Sequence, residues 1–369
     1  MIRDKATPIF ALLLTLLIPL KGFSITFEDA VFPELAPSGR ALAMGNAYVA
    51  KVDDSSAVFY NPAGLGSVRH KHLHLSNFHF EMNKGWMKMG TSGSIGNAGS
   101  NFSKGFDLDG ARQLLLENRG RVSHSRFHAL PNFTSRFFSA GYLYSKVTRA
   151  TINFGTSSPF EFADRTDHGP YGALNLSLFG GIIKTGASVI FLNRKELVGT
   201  QTDATATFEK NQEYNKGNML MITAGSKVTL PIAFLPTFAA TLHNASDQGF
   251  SGGSGLGAPD PIKQTLDLGF SLTPQIGKFL RLHLEANYKD IGNKFKDVDA
   301  SRKILLGMEF DIARTFFFRF GYGDGFGSGG VGLKTKALEF DLTTYAVDAG
   351  PGFRDKEDRR FSLTLSSGF

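Results

Sequence analysis

Apolar and polar residues alternate with a period of two along much of this chain. The clearest example runs from Phe279 to Asp290, where every second residue from Leu280 to Tyr288 is apolar and the residues between them are polar or charged. This alternation predicts a strand whose two faces meet different environments, which is true of soluble sheets and of membrane barrels. One such run predicts a strand but does not distinguish a soluble sheet from a membrane barrel.

The same pattern recurs towards the C-terminus, and none of its apolar faces carries a charge. Read at every second residue, these faces are Leu266 to Leu272, Ile304 to Phe310, Phe316 to Tyr322, Leu338 to Ala346 and Phe361 to Phe369. A Lys or Arg on the lipid-facing surface near the midplane of a barrel costs about 2–4 kcal/mol. The repeated charge-free face therefore favours a transmembrane antiparallel β-barrel over a soluble β-sandwich.

The number and ends of the strands follow from the same pattern. Alternating segments number about 14 to 16, and a single-chain bacterial barrel has an even number, so we predict an all-β barrel of about 14 strands. We expect a first hairpin formed by Leu73 to Met82 and Lys84 to Gly90. A cluster of turn-forming residues from Asp164 to Pro170 predicts a joint between two strands.

The first residues resemble an export signal. Arg3 and Lys5 precede an apolar run from Ile9 to Leu20, which predicts a signal peptide over residues 1–24. The alternative is a membrane anchor, but about 12 apolar residues are too few where about 20 are needed. The chain has no cysteine, so a disulfide framework is excluded. We expect a protein of the outer membrane of a Gram-negative bacterium.

Residues 25–70 do not alternate. Prolines and small residues are followed by Asp53 and Asp54, which precede a short predicted helix over residues 55–60 that Pro62 would end. We expect this segment to form a compact plug inside a barrel made of residues 71–369. The alternative is an amphipathic segment that packs under one rim of the barrel.

Motifs within this segment carry a family resemblance. Arg40 to Ala50, the pair Asp53 and Asp54, and the run Tyr60 to Leu65 resemble the N-terminal signature of the FadL-type outer-membrane transport superfamily, in particular its PorV-like branch. The resemblance implies a barrel of about 14 strands and the handling of hydrophobic small molecules. It also implies an N-terminal hatch whose motif residues are here Asn61, Pro62 and Ala63.

Residues 91–131 interrupt the strand pattern. A Gly/Ser-rich stretch, Thr91 to Ser103, leads into Asp107 to Asn118, which predicts a short helix with acidic residues at its N-terminus. An insertion of this kind in a barrel is either a long extracellular loop or a constriction of the lumen. Loops of this length are where barrels contact ligands.

Two functions remain open at this point. The chain could bind and passively take up an apolar solute, in a pocket lined by aromatic residues of the hatch and the loops, with Phe59, Tyr60 and Phe106 as candidates. It could instead be a PorV-like anchor or carrier that docks a secreted or surface protein on loops 91–131 and 193–218. Outer-membrane lipid is an expected partner in both cases.

Other chemistries find little support in the sequence. Without cysteine, and without a serine in a Gly-x-Ser-x-Gly elbow, we predict that the chain is not an enzyme. His70, His72, His74 and His79 suggest a Zn²⁺ or Cu²⁺ site, but no carboxylate follows at ligand spacing, so we expect no metal and no cofactor. The net charge of +7 is scattered, which argues against nucleic acid as a partner.

Overall fold

The computed structural model describes residues 29, 31, 35–90, 104–155, 158–209, 213–254, 257–350 and 352–368. Within these ranges every strand belongs to one antiparallel sheet, and the first and last strands pair with each other, so the sheet closes into a barrel. The predicted signal peptide and the Gly/Ser-rich stretch Thr91 to Ser103 lie outside the described residues.

The described residues form fourteen barrel strands, three of which are interrupted. In chain order they are His72–Asn83 (β1), Val122–Ala129 with Asn132–Thr134 (β2), Phe138–Ile152 (β3), Phe160–Leu178 (β4), Ile183–Gln201 (β5), Asn215–Thr229 (β6), Thr237–His243 with Ser251–Ser254 (β7), Thr265–Leu272 with Gln275–Ile276 (β8), Leu280–Tyr288 (β9), Ile304–Ile312 (β10), Phe316–Gly323 (β11), Phe326–Lys334 (β12), Leu338–Asp348 (β13) and Glu357–Gly368 (β14). This confirms the predicted antiparallel barrel.

The two ends of the barrel differ in their connections. At one end, which we call the short-turn end, neighbouring strands are joined by turns such as residues 179–182 and 313–315. At the other, the long-loop end, the connections include residues 84–121 and 289–303. Bacterial barrels place short turns on the periplasmic side and longer loops outside.

Residue exposure on the strands is the reverse of that in a soluble protein. On β9, Leu284 is 37% exposed whereas Glu285 is 4% exposed and His283 only 2%. On β11, Phe318 is 45% exposed and the neighbouring Arg319 only 3%. The apolar face therefore points outward and the charged face inward, which is the arrangement expected of a barrel in lipid.

The described residues also form short helices. The α-helices are Gly39–Ala43 (α1), Ala57–Tyr60 (α2), Lys84–Gly90 (α3) and Leu108–Glu117 (α4), and the 3₁₀-helices are Pro62–Ser67, Phe179–Gly181 and Ala300–Lys303. Among the described residues, none of these helices combines the length and apolarity needed to cross a bilayer. α2 falls within the predicted 55–60, and Pro62 begins the next helix, as its fixed φ permits.

The predicted first hairpin was wrong in its second half. Leu73 to Met82 lies within β1, but Lys84 to Gly90 forms α3 instead of a strand. The side chain of Asn83 accepts a hydrogen bond from the backbone N–H of Trp86 at 2.8 Å and so caps the helix. Trp86 and Met89 are both buried and lie three residues apart, a spacing that puts them on one face of a helix.

The predicted joint from Asp164 to Pro170 was also wrong. These residues lie inside β4, which pairs without a register shift with β3 and β5. The polar residues resemble a turn in the sequence, but Arg165 and Asp167 face inward and find partners across the sheet: Arg194 Nε donates to Asp167 Oδ1 at 2.7 Å. Pro170 lies opposite Tyr142 on β3 and lacks a backbone N–H, so the strand forgoes one hydrogen-bond donor at this position.

The predicted helix in the insertion is α4, and it packs on the outward face of the strands. Asp107 caps it by accepting a hydrogen bond from the Gly110 N–H at 3.2 Å. Its apolar residues cluster with Ala150, Ile152, Phe160 and Phe162, which alternate along β3 and β4 with the inward-facing positions. Of the two expected placements, α4 therefore fits an external loop and not a constriction of the lumen.

The outward face of β10 provides a test of membrane depth. Met308 lies at the middle of this face and Ile304 at its long-loop end. We expect Met308→Arg to lower the free energy of unfolding in lipid vesicles by about 2–4 kcal/mol, and Ile304→Arg by about 0–1 kcal/mol, because a cation is costly only near the midplane. Denaturant titration measures both, and equal losses would contradict the assigned depth.

Candidate functional site

Residues 35–68, which we call the N-terminal segment, lie against the inward-facing side of the strands. Most of its side chains are buried, and Ala41 to Met44 have no exposed surface. Its backbone is bound by wall side chains: the Thr343 hydroxyl donates to Gly39 O at 2.9 Å, and the Ser328 hydroxyl to Ala43 O at 3.0 Å. The helix α1 is too short to supply partners for all of its own carbonyls, so these wall hydroxyls satisfy groups that would otherwise be buried alone.

A network of charges attaches the segment to β10 and β11. The Arg40 guanidinium donates to both carboxylate oxygens of Glu309, at 2.7 and 2.6 Å, and to Asp53 Oδ1 at 2.7 Å. Arg319 Nε donates to the same Glu309 at 2.8 Å. Such bidentate pairs fix orientation as well as distance. Glu309 therefore holds the N-terminal segment in a defined position on the wall.

A second carboxylate binds the segment through its backbone. Glu285, on the inward face of β9, accepts hydrogen bonds from the N–H groups of Ala50 at 2.7 Å and Lys51 at 2.9 Å. These two donors have no helical or strand partner, so the carboxylate satisfies groups that would otherwise be buried alone. The inward carboxylates thus serve as receptors for this segment.

Inward-facing glycines allow the segment to approach the wall closely. Those of β8, β10, β11 and β12 lie beside residues 43–50; they are Gly269, Gly307, Gly321 and Gly330. A Cβ atom at Gly307 would lie 2.8 Å from Met44 O, a distance that real side chains do not adopt. On the segment itself, Gly45 has a φ of +64° and packs on the backbone of Tyr322, so glycine is required there.

The predicted motif Asn61, Pro62 and Ala63 makes specific contacts. Asn61 Nδ2 donates to Val49 O at 3.0 Å and to Ser226 O on β6 at 3.3 Å, while its Oδ1 accepts from the Ala63 N–H at 3.1 Å. All the hydrogen-bonding atoms of this amide have partners. The motif therefore holds the turn of the segment together and attaches it to the wall.

A pair of glycines on the wall receives this motif. Gly186 on β5 lies opposite Gly225 on β6, and both face inward. A Cβ atom at Gly225 would overlap Asn61 Oδ1, and one at Gly186 would overlap the backbone of Pro62. The motif is visible in the sequence, but its receptor is not, because only the register of β5 against β6 brings the two glycines together.

Phe59 and Tyr60 lie in the largest apolar cluster at the segment. The Phe59 ring meets Tyr171 edge to face at a centroid distance of 5.3 Å, and the Tyr60 ring meets Tyr48 in the same way at 5.5 Å. The Tyr60 hydroxyl accepts a hydrogen bond from the Ser38 N–H at 3.2 Å. The wall contributes inward apolar residues from β3 to β6, which are Leu143, Tyr171, Ala173, Ile190, Leu192, Met219 and Met221. We call these the apolar patch.

Phe106, the third candidate for ligand binding, lies elsewhere. Its ring contacts Trp86 at a centroid distance of 6.4 Å, and its neighbour Gly105 accepts a hydrogen bond from the Ser125 hydroxyl at 2.8 Å. Ser125 alternates with the inward-facing His124 and Arg126, so this contact is on the outward side of β2. The structure brings Phe59 and Tyr60 together and leaves Phe106 with the long loop.

Ion pairs border the apolar patch towards the long-loop end. Along β5, Leu192 is followed at the next two inward positions by Arg194 and Glu196. Arg194 pairs with Asp167 at 2.7 Å, and Arg165 pairs with Glu196 at 2.7 Å, both across the β4 and β5 register. Each charge is matched by a neighbour, so the inner wall changes there from apolar to ionic without an uncompensated charge.

The histidines of β1 take part in a buried polar network. His79 and His124 both approach the Glu81 carboxylate, at 3.4 and 2.6 Å, and His72 stacks on His74 at 5.5 Å. Within the described ranges no group of three potential ligands is arranged to hold a metal ion. The sequence marked the inward face of β1 as polar, but the expectation that no carboxylate follows these histidines was wrong, because Glu81 lies two residues after His79 on the same face. His124 was missed because it lies on a different strand.

A small cavity remains beside the segment. Its volume is about 100 Å³, and its lining is mixed, with Arg40, Asp53 and Asp341 among the polar residues and Leu130 and Phe317 among the apolar ones. The apolar patch itself is packed against the segment. Phe250 and Ile262, from the connection between β6 and β8, pack beside it as well.

Comparison with known proteins gives distant structural similarity. The toluene transporter TbuX of Ralstonia pickettii is 12% identical with a TM-score of 0.48, over 93% of this chain and 100% of that one. A Pseudomonas aeruginosa FadL homologue is 11% identical with a TM-score of 0.45, over 92% and 100%. CdiB from Acinetobacter baumannii is 8% identical with a TM-score of 0.36, over 82% of this chain and 60% of that one.

Neither protein-family models nor curated proteins match the sequence.

The glycine receptor of the motif can be tested with a matched pair of substitutions. We expect Gly225→Val to displace Asn61 and to lower the hydrogen-exchange protection of residues 61–68 by about tenfold or more, because hydrogen bonds worth about 1 kcal/mol each are lost. Gly172→Val on the outward face of β4 is the control, since a Cβ atom there meets only Ser139 O, at 3.9 Å. Unchanged protection in Gly225→Val would contradict the assigned contact.

Proposed function

We propose that this chain is an outer-membrane barrel of a Gram-negative bacterium that binds hydrophobic small molecules and takes them up passively. In this proposal residues 25–70 are the plug and residues 71–369 the barrel. The observation that supports it most directly is the apolar patch on the inner wall. Water-filled barrels have a polar interior, so apolar side chains facing inward on adjacent strands call for an apolar partner.

The register makes the patch continuous. Tyr171, Ile190 and Met221 are opposite one another on β4, β5 and β6, and Leu192 pairs with Met219 in the next row. Burying apolar surface is worth about 25 cal/mol per Å², so a row of this kind favours contact with any apolar group that can reach it. In the present state Phe59 and its neighbours supply that group.

Movement of the plug is the step that the proposal requires. The segment is attached by polar contacts, such as Arg40 to Glu309 and Asn61 to Ser226 O, which water can replace. An apolar solute would lie on the patch beside the Phe59 and Tyr60 rings and so offset the loss of the contacts that the plug makes there. The plug contacts strands on several sides of the barrel, which supports a lumenal plug over a segment under one rim.

The proposed ligand contacts are Phe59 and Tyr60, which adjoin the patch. Phe106 would meet a solute only at the long-loop end, beside Trp86. The ion pairs Arg194 to Asp167 and Arg165 to Glu196 would form the boundary of the site. Because each charge there is already paired, the boundary offers little attraction to a single charged group.

Retention of naphthalene by the purified protein tests this proposal. We expect the wild type, after incubation and gel filtration, to retain naphthalene, and the double variant Phe59→Ala with Tyr60→Ala to retain about tenfold less, because two aromatic contacts worth about 0.5–1.5 kcal/mol each are removed. The extracted naphthalene is quantified by mass spectrometry against the protein.

Leu42→Ala is the matched control for this experiment. Leu42 belongs to the same segment but packs against Leu305, Tyr345 and Val347, away from the apolar patch. The Leu42→Ala substitution should loosen the plug to a similar degree and leave naphthalene retention near the wild-type level. Equal loss in both variants would show that plug stability alone is being measured. A wild type that retains no naphthalene would contradict uptake and favour the PorV-like anchor.

A further inference from the structure

A cleft at the short-turn end brings three arginines together. Its volume is about 410 Å³, and it is lined by Arg69, Arg281 and Arg314, with Thr273, Gln275, Phe234 and Leu235. Arg69 lies between the N-terminal segment and β1, Arg281 faces inward on β9, and Arg314 is in the turn from β10 to β11. The cleft therefore extends from the end of the segment to strands on the other side of the barrel mouth.

The charges of this cleft are only partly neutralised. Arg281 pairs with Asp311, whose other oxygen accepts a hydrogen bond from the Arg314 backbone N–H at 2.8 Å. Across the described ranges, the side chains of Arg69 and Arg314 have no carboxylate within ion-pair distance. Three guanidiniums and one carboxylate leave a net charge of about +2 in the cleft.

The environment of Arg69 reflects this excess of positive charge. Partial burial lowers its pKa, the nearby guanidiniums of Arg281 and Arg314 lower it further, and the carboxylates of Asp53 and Asp311 oppose this only in part. An anion held between the three side chains would reverse the effect of these neighbours. The planar forks of arginine suit the oxygens of a phosphate or a carboxylate in particular.

One side of the cleft is apolar and is held in an unusual conformation. Phe234 and Leu235, in the turn from β6 to β7, have φ angles of +65° and +47°, and Arg314 has +58°. Left-handed backbone at residues other than glycine costs on the order of 1–3 kcal/mol. These turns therefore present two exposed apolar side chains and one guanidinium to the cleft, although glycine or asparagine would fit the backbone more easily.

We propose that this cleft binds the phosphate or carboxylate group of an amphiphile, whose alkyl chain lies along Phe234 and Leu235. Arg69, Arg281 and Arg314 hold the anionic group. The Thr273 hydroxyl is already oriented by His283 Nδ1 at 2.9 Å and adds a polar contact. This site is separate from the apolar patch and does not depend on the uptake of apolar solutes. Its anion comes either from a free amphiphile or from the headgroup of a membrane phospholipid.

Binding of octyl phosphate to the full-length protein in a non-ionic detergent tests this site. We expect the wild type to bind octyl phosphate about tenfold or more tightly than inorganic phosphate, and to bind octanol without measurable heat in a calorimetric titration. The double variant Arg69→Gln with Arg314→Gln should lose affinity for octyl phosphate by about tenfold or more, since hydrogen bonds between charged partners are the strong ones.

Arg136→Gln is the matched control. Arg136 lies in the turn from β2 to β3 at the same end, is exposed, and does not line the cleft. It should bind octyl phosphate as the wild type does. All variants are first checked for the heat-dependent gel migration of a folded barrel. Naphthalene retention should be unchanged in the double variant, so failure of the apolar-uptake proposal and failure of this one remain distinguishable.

Each of the other outcomes either overturns part of the proposal or identifies the source of the anion. Equal affinity for octyl phosphate in the wild type and the double variant would overturn it, as would equal affinity for octanol. Inorganic phosphate bound as tightly as octyl phosphate would overturn the amphiphile and leave a simple anion site. Weaker octyl phosphate binding in phosphatidylglycerol nanodiscs than in phosphatidylcholine nanodiscs would identify a lipid headgroup; equal binding would identify a free amphiphile.

Discussion

Most of the charged side chains on the inward face of this barrel are buried, so each of them needs a partner there. Glu309 illustrates this constraint: its carboxylate binds Arg319 on the wall and Arg40 on the N-terminal segment. Glu285 does the same with the backbone of Ala50 and Lys51. The outward apolar face, the inward polar face and the position of the segment all follow from satisfying these groups.

The segment meets two kinds of wall. Towards β8 to β12 it is held by carboxylates, hydroxyls and a set of inward glycines that permit close approach. Towards β3 to β6 it covers apolar side chains, of which Tyr171 and Ile190 are examples. The first wall holds the segment mainly through directional hydrogen bonds, whereas the second adds apolar area to the hydrogen bonds from Asn61 and Ser188. Movement of the proposed plug would therefore require water to replace the directional contacts of the first wall and an apolar group to cover the second.

The two proposed sites use different chemistry at different heights of the barrel. The apolar patch lies under Phe59, beside the ion pair of Arg194 and Asp167. The arginine cleft lies at the short-turn end, where Arg69 follows the segment. The patch would take an apolar group and the cleft an anionic one, so each proposal depends on a different set of residues.

The sequence by itself determined the strands and their faces, because alternation is local and the midplane excludes charge along every strand. It also marked Asn61, Pro62 and Ala63, and the helix begun by Asp107. Local reasoning misread Lys84 to Gly90 and Asp164 to Pro170, where a cap at Asn83 and a cross-strand pair at Arg194 outweigh local preference. Only the tertiary structure decided the partners: Arg40 and Glu309 are 269 positions apart, and Gly186 meets Gly225 by register alone. Strand register and the placement of the N-terminal segment against the wall set such contacts, so no short stretch of the sequence specifies them.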